Sequence, residues 1–528
     1  MPATRPLALL ITSAALAACG GAGSGAAPTA ASGDARPSCT AAASVSLQPG
    51  QTQTLTADEA ACFRLAAGEN AEYALAGYDA RALEASRAGQ SAGSLAEPRY
   101  TIADATHGGA AQSLVAAPSG STEPLRPADV RFTTAAATDA ADPFSRATPW
   151  REGERFQVKP LEGSTPVQAR VVRVVGGRFA LAVVERDEAG ASKVLEQATE
   201  ALRFLAQRGV PLLQSTFSDA IPTTTDGSGQ LLVLATAWDP AKGAAATWTR
   251  EDAAGAHSFV WLNLNLRPGK GTGYEVYDHT SYRVKVLGHE LTHAWQAAWL
   301  HQAHASGHAA AQAPAWSMEG GADFVAMDLV RRYLNVGLGA NWKWSDNLEP
   351  SKEGVVFALE PFDARGRLTW GYYDASSLLR DLQARLISAG MSPEAAMAEV
   401  SRGAVEGWHG SDGEGGDCAG LVERMRARLG SAWDPAGAVL LWTASQAADD
   451  RTPNAALSNP TYYNVGSADE RYGWKPAAEV RGGSGQSAAV TQVAGGSFYV
   501  RVKGARAEST LRAVSSTPDA RWMIVRVR

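Results

Sequence analysis

The sequence is short of several things that would each define a class of protein. It has 4 cysteines in 528 residues, too few for disulfides to stand in for a hydrophobic core. The net charge is −6, so no basic excess marks a nucleic-acid footprint. The apolar stretch 7–16 is too short to span a bilayer. No P-loop, dinucleotide fingerprint or Ser/His/Asp order stands out. What remains is ordinary globular material, 45% hydrophobic and 19% charged, long enough for about two to four domains.

Histidine is also scarce, with 9 in the chain. At that frequency a random H-E-x-x-H has a likelihood on the order of one in a hundred. The stretch Gly288-His289-Glu290-Leu291-Thr292-His293-Ala294-Trp295 contains one. On a helix, residues four apart share a face, so His289 and His293 can hold one zinc ion, Zn2+, and Glu290 can reach a water on it. The bland alternative is a helix with two ordinary histidines.

Catalytic zinc usually has three protein ligands, and two histidines leave one to find. Trp316-Ser317-Met318-Glu319-Gly320-Gly321-Ala322-Asp323-Phe324 opens a second helical pattern. Glu319 is the expected third ligand. Asp323, one turn on, can accept the spare ring N–H of a zinc-bound histidine, or form a plain surface salt bridge.

These two blocks, GHELTHAW and WSMEGGADF, resemble the gluzincin metallopeptidases, the thermolysin-like group with an H-E-x-x-H helix and a downstream Glu. The resemblance implies His289, His293 and Glu319 as ligands and Glu290 as general base. The wider order also looks similar to secreted bacterial peptidases of the hyicolysin type: a D-G-x-G turn at residues 226–229, an apolar strand, a second strand, then the helix. The interval from His293 to Glu319 is longer than the usual pattern, with an Ala- and His-rich stretch at 300–312; Asp323 and Asp328 are the fallback ligands. Residues 372–382, YYDASSLLRDL, are similar to a third gluzincin block whose first Tyr steadies the oxyanion. By position that is Tyr372, with Tyr373 as competitor.

Along the chain, residues 38–103 read as short strands, 104–149 as a linker, 150–450 as the zinc metallopeptidase domain and 451–528 as a β module. The fold expected is α+β, with N-terminal and C-terminal β-sandwich-like modules flanking the metallopeptidase domain. Within it, 192–207 has helical spacing, and the strand at 259–265 is expected to pair with an extended substrate. His301, His304 and His308 read as a solvated loop rather than a second metal site. Asp412, Glu414 and Asp417 offer oxygen ligands for structural Ca2+, but their spacing fits no EF-hand and a solvated acidic loop is expected.

Residues 1–18 read as a signal peptide and 19–37 as a flexible tether. Leu16-Ala17-Ala18-Cys19 resembles the lipobox of bacterial lipoproteins, which implies cleavage before Cys19 and its acylation. The alternative is a plain secretory signal. With Gly20 next, the resemblance points to the outer membrane of a Gram-negative envelope. Cys39 and Cys62, close in sequence on an exported chain, are expected to form a disulfide; Cys418 has no expected role.

The function expected is zinc-dependent hydrolysis of peptide bonds in a protein or peptide substrate, with a lipid anchor at Cys19 and no nucleic-acid partner. The rival is a catalytically inactive envelope-surface binding protein on a peptidase-like scaffold.

Overall fold

The computed structural model describes residues 43–81, 95–96, 98–106, 112–115, 131–132, 142–146, 148–159, 165–219, 221–225, 228–238, 244–251, 255–265, 280–305, 315–335, 371–407, 419–445, 476–492 and 495–528. For 112–115, 131–132, 304–305, 315–316, 371–375 and 377 this extends to the backbone alone.

The strands in chain order are β1 (Ala43–Val45), β2 (Thr52–Leu55), β3 (Phe63–Leu65), β4 (Glu72–Asp79), β5 (Arg99–Asp104), β6 (Gln112–Val115), β7 (Arg131–Phe132), β8 (Arg155–Val158), β9 (Val167–Val175), β10 (Phe179–Val184), β11 (Leu231–Thr236), β12 (Ala245–Glu251), β13 (Ala256–Asn263), β14 (Ala478–Arg481), β15 (Gln486–Thr491), β16 (Ser497–Lys503), β17 (Ser509–Ser515) and β18 (Ala520–Arg526). The helices are α1 (Ala57–Ala61), α2 (Ser192–Phe204), α3 (Val210–Thr216), α4 (Thr280–Ala305), α5 (Ala315–Tyr333), α6 (Gly371–Ser388), α7 (Pro393–Val405), α8 (Leu421–Leu429) and α9 (Pro435–Ser445). The α+β class is therefore observed, with β-rich stretches on both sides of the helical region.

Those two stretches are not two modules. β4 lies between β16 and β18, and β5 between β15 and β17. N- and C-terminal strands interleave in both sheets of one sandwich, ordered β1-β3-β17-β5-β15-β6 and β14-β16-β4-β18-β2. The expectation of separate modules at 38–103 and 451–528 is corrected accordingly. The physical reason is burial: Phe63, Tyr100 and Ile102 from one end of the chain share a core with Phe498, Val500 and Trp522 from the other. The second sheet is covered on its far face too, by α9, which is why β4 is buried along nearly its whole length instead of alternating.

The expected linker, 104–149, also contributes structure. β6 extends one sandwich sheet beside β15, and β7 joins the central sheet beside β12. Phe144 packs on Phe259 with ring centroids 5.2 Å apart.

The central sheet is seven-stranded, ordered β7-β12-β13-β11-β10-β9-β8. The β9–β10 hairpin turns through Gly176, Gly177 and Arg178, with both glycines at positive φ (58° and 66°), a conformation glycine adopts without a Cβ penalty. One face carries Trp261 and packs with Trp150 and Trp238; the other, through Leu181, Val233 and Val260, meets the helices. The helix expected at 192–207 runs further, through a π turn at Leu205–Gly209 into α3. Pro211 follows that turn; it has no N–H to donate and its ring crowds the preceding turn.

α4 lies across β12 and β13 and packs against α5. It is buried nearly all round. Gly288 allows the two helices to close: a Cβ there would stand 3.0 Å from Leu329 and 3.7 Å from the Ala326 backbone. Among the described residues no helix is long and apolar enough to cross a membrane.

Candidate metal centre

His289 and His293 sit one turn apart on α4, and Glu319 sits in the second turn of α5. Nε2 of His289 is 3.0 Å from Nε2 of His293 and 3.1 Å from Oε2 of Glu319; the remaining separation, His293 to Glu319, is 3.5 Å. These three side chains form a group that can hold a metal ion. Two atoms each about 2.0–2.1 Å from one tetrahedral ion stand roughly 3.3 Å apart, so the spacing fits.

The atoms behind the group fix its chemistry. Nδ1 of His289 is 2.8 Å from Oδ1 of Asp323. A carboxylate only accepts, so Nδ1 donates, and Nε2 carries the lone pair in the neutral ring. Nδ1 of His293 is 2.8 Å from Oε1 of Gln296, whose amide nitrogen donates to the Met318 carbonyl at 3.0 Å. That second bond sets the amide's orientation and so the tautomer of His293. Two imidazole lone pairs and a carboxylate oxygen therefore converge where, without a cation between them, they repel.

Charge points the same way. Glu290, Glu319 and Asp323 are buried carboxylates, and Lys285 is the buried ammonium beside them, 3.7 Å from Asp323. With neutral imidazoles and all three carboxylates ionised, these four charged groups sum to two negative charges, which one divalent cation would balance. In the metal-free chain a proton answers part of this need. Burial opposes charge on His289, yet its hydrogen bonds with Asp323 and Glu319 carry it up to about 10. Burial likewise opposes charge on Glu319, but His293 and His289 hold it down to about 2. The Asp323 carboxyl is also lowered: burial is overcome by Lys285 and His289.

Glu290 follows His289 on α4 and is 3% exposed. Its Oε2 accepts from the Thr247 hydroxyl at 2.6 Å. Burial raises its carboxyl, with the two histidines and Thr247 pulling the other way.

The structure thus brings together His289, Glu290, His293, Glu319 and Asp323. Asp328, the other fallback ligand, pairs instead with Arg331 and Arg332. Tyr372 and Tyr373 lie on α6, but their side chains are outside the described residues, as are Cys19, Cys39, His308, Asp412, Glu414, Asp417 and Cys418. Cys62 is disulfide-bonded. The strand expected to receive substrate, β13, is hydrogen-bonded on both sides, by β11 and β12; that expectation is corrected, because no edge of β13 is open along the paired residues.

Sequence reasoning passed over Thr247, Lys285 and Gln296. For the last two a signal existed. Residues 285, 289, 293 and 296 recur at helical spacing, which puts them on the ligand face of α4. Thr247 is far away in sequence, and only the sheet brings it to Glu290.

A scan against protein-family models finds no match, and a search of curated proteins finds none either.

Proposed function

We propose that the protein is a zinc-dependent peptide hydrolase with His289, His293 and Glu319 as the zinc ligands and Glu290 as general base. The observation that carries this reading is the convergence of two imidazole nitrogens and a carboxylate oxygen within 3.5 Å, with a buried carboxylate next in the chain to the first ligand. Imidazole and carboxylate donors suit zinc, which, when bound, supplies a water of lowered pKa and a Lewis acid for a substrate carbonyl.

The chain's own residues do the rest. Asp323 and Gln296 hold the two rings so that both Nε2 atoms face one point. Thr247 occupies Oε2 of Glu290, which leaves Oε1 to accept a proton from the attacking water and return it to the leaving amine. Burial raises the carboxyl of Glu290 from its ordinary value, the direction that favours carrying a proton. The choice of peptide bonds rests on the resemblance of GHELTHAW and WSMEGGADF to gluzincin blocks. That resemblance also makes Tyr372 the proposed oxyanion donor. The lipobox-like Leu16-Ala17-Ala18-Cys19 places the activity, on this reading, at a lipid-anchored position in the cell envelope.

The test is metal content and casein hydrolysis in wild type and Glu290→Gln. Wild type should carry one zinc per chain and lose activity with a chelator. Glu290→Gln should keep the zinc and lose hydrolysis. Full activity in the variant sinks the mechanism; bound zinc without turnover on any peptide sinks the choice of substrate.

A further inference from the structure

Lys285 is a buried lysine on the helix that carries the two histidines. It lies one turn before His289 on α4 and is 6% exposed. An ammonium so buried is costly without a charged partner. Its partner is Asp323, with Nζ 3.7 Å from Oδ1. The same oxygen accepts from Nδ1 of His289 at 2.8 Å. One carboxylate oxygen is therefore held from two sides, by a cation and by a ring whose other nitrogen is a proposed ligand atom.

The spacing makes this arrangement specific. Lys285, His289 and His293 recur every four residues along one face of α4. Glu319 and Asp323 are four apart on the facing side of α5. Lys285 meets Asp323 one turn away from the ligands, so the ammonium stands behind the metal position. A protonated amine has no lone pair to offer a metal, and its reach is spent on Asp323.

We infer that Lys285 is a positioning residue of the metal centre: its ammonium pins the Asp323 carboxylate against His289 and so keeps the His289 ring aimed at the metal. The inference rests on the metal-centre reading given above. Its effect has a sign that separates it from a simple field effect. Taking a positive charge away from a cation site should, through the field alone, strengthen metal binding. Losing the pin frees the Asp323 carboxylate to turn away, and the disordered ring weakens binding. Partners of this kind typically matter about 10- to 100-fold in metal affinity.

The experiment compares zinc affinity, by competition with a chromogenic chelator, in full-length wild type, Lys285→Met and Lys285→Arg. Thermal unfolding of the metal-stripped proteins is measured in parallel. Lys285→Met should bind zinc about tenfold or more weakly, and Lys285→Arg should recover most of that loss. If Lys285→Met does not fold, Lys285→Gln takes its place, with a loss expected in the same direction. Unchanged or tighter binding in a folded Met or Gln variant overturns the inference, and so does an Arg variant as weak as Met. A wild type that binds no zinc overturns the metal-centre reading itself and this inference with it.

Discussion

The Thr247 hydroxyl stands 2.6 Å from Oε2 of Glu290 and 2.9 Å from the carbonyl oxygen of the same residue. A hydroxyl has one proton to donate, and the shorter separation assigns it to the carboxylate, so a residue in a sheet strand anchors the side chain of the proposed base. Thr247→Val keeps the shape and removes the donor. A hydrogen bond to a charged group contributes about 1.5–3 kcal/mol, so kcat on a peptide substrate should fall about tenfold or more, with zinc content and KM little changed. Retained kcat in the Val variant would show that Glu290 does not depend on this contact.

Gln296 should matter through the metal rather than through the chemistry. Its Oε1 accepts from His293, and its amide is tied to Met318 on the neighbouring helix. Gln296→Leu leaves Nδ1 of His293 without this acceptor in the interior. Zinc affinity should drop about 10-fold or more, as read by chelator competition. An affinity equal to wild type would remove Gln296 from the site.

Zinc held by His289, His293 and Glu319, as proposed, should add stability as well as activity. A ligand that binds only the folded state at a hundred times its Kd adds about 2.7 kcal/mol. Chelator-treated protein should therefore melt at a lower temperature, and zinc should restore the melting point while magnesium should not. A melting temperature indifferent to zinc counts against a site preformed between α4 and α5.

Glu406 supplies a pH dependence outside the His289, His293 and Glu319 group. It accepts from Nε1 of Trp299 at 3.1 Å and pairs with Arg424 at 2.8 Å. Burial nevertheless pushes its carboxyl up to about 7, against Arg424 and the Trp299 hydrogen bond. The unfolded chain releases that proton near 4.5. Between these values the folded state binds more protons than the unfolded one, so this group's contribution to stability falls as pH rises through the window. The drop in melting temperature from pH 5 to pH 8 should be smaller in Glu406→Gln than in wild type. Equal drops would mean that Glu406 does not titrate there.

The interleaved sandwich predicts how the chain responds to truncation. Deleting 476–528 removes both neighbours of β4 and both neighbours of β5. The N-terminal strands should then be proteolysed rapidly, and α9 should lose the sheet it packs on. A truncated chain whose residues 43–106 stay protease-resistant would contradict the shared sheets.

The sequence by itself determined the side-chain placement that is local. His289, Glu290 and His293 are set by the four-residue period of a helix, and Asp323 follows Glu319 by the same rule, so helix geometry alone aligns each pair. The hairpin at Gly176-Gly177 and the class of the fold were legible for the same reason: turn chemistry and hydrophobic period act over a few residues. The tertiary structure decided what joins distant segments. Only the packing of α4 on α5, closed through Gly288, brings Glu319 within 3.5 Å of both histidines. Only the sheet places Thr247 under Glu290, and only the pairing of β4 and β5 with strands some four hundred residues away turns two β-rich flanks into one module. Strand pairing is fixed by which apolar faces can be covered together, and a linear pattern shows that a face exists without showing what will cover it.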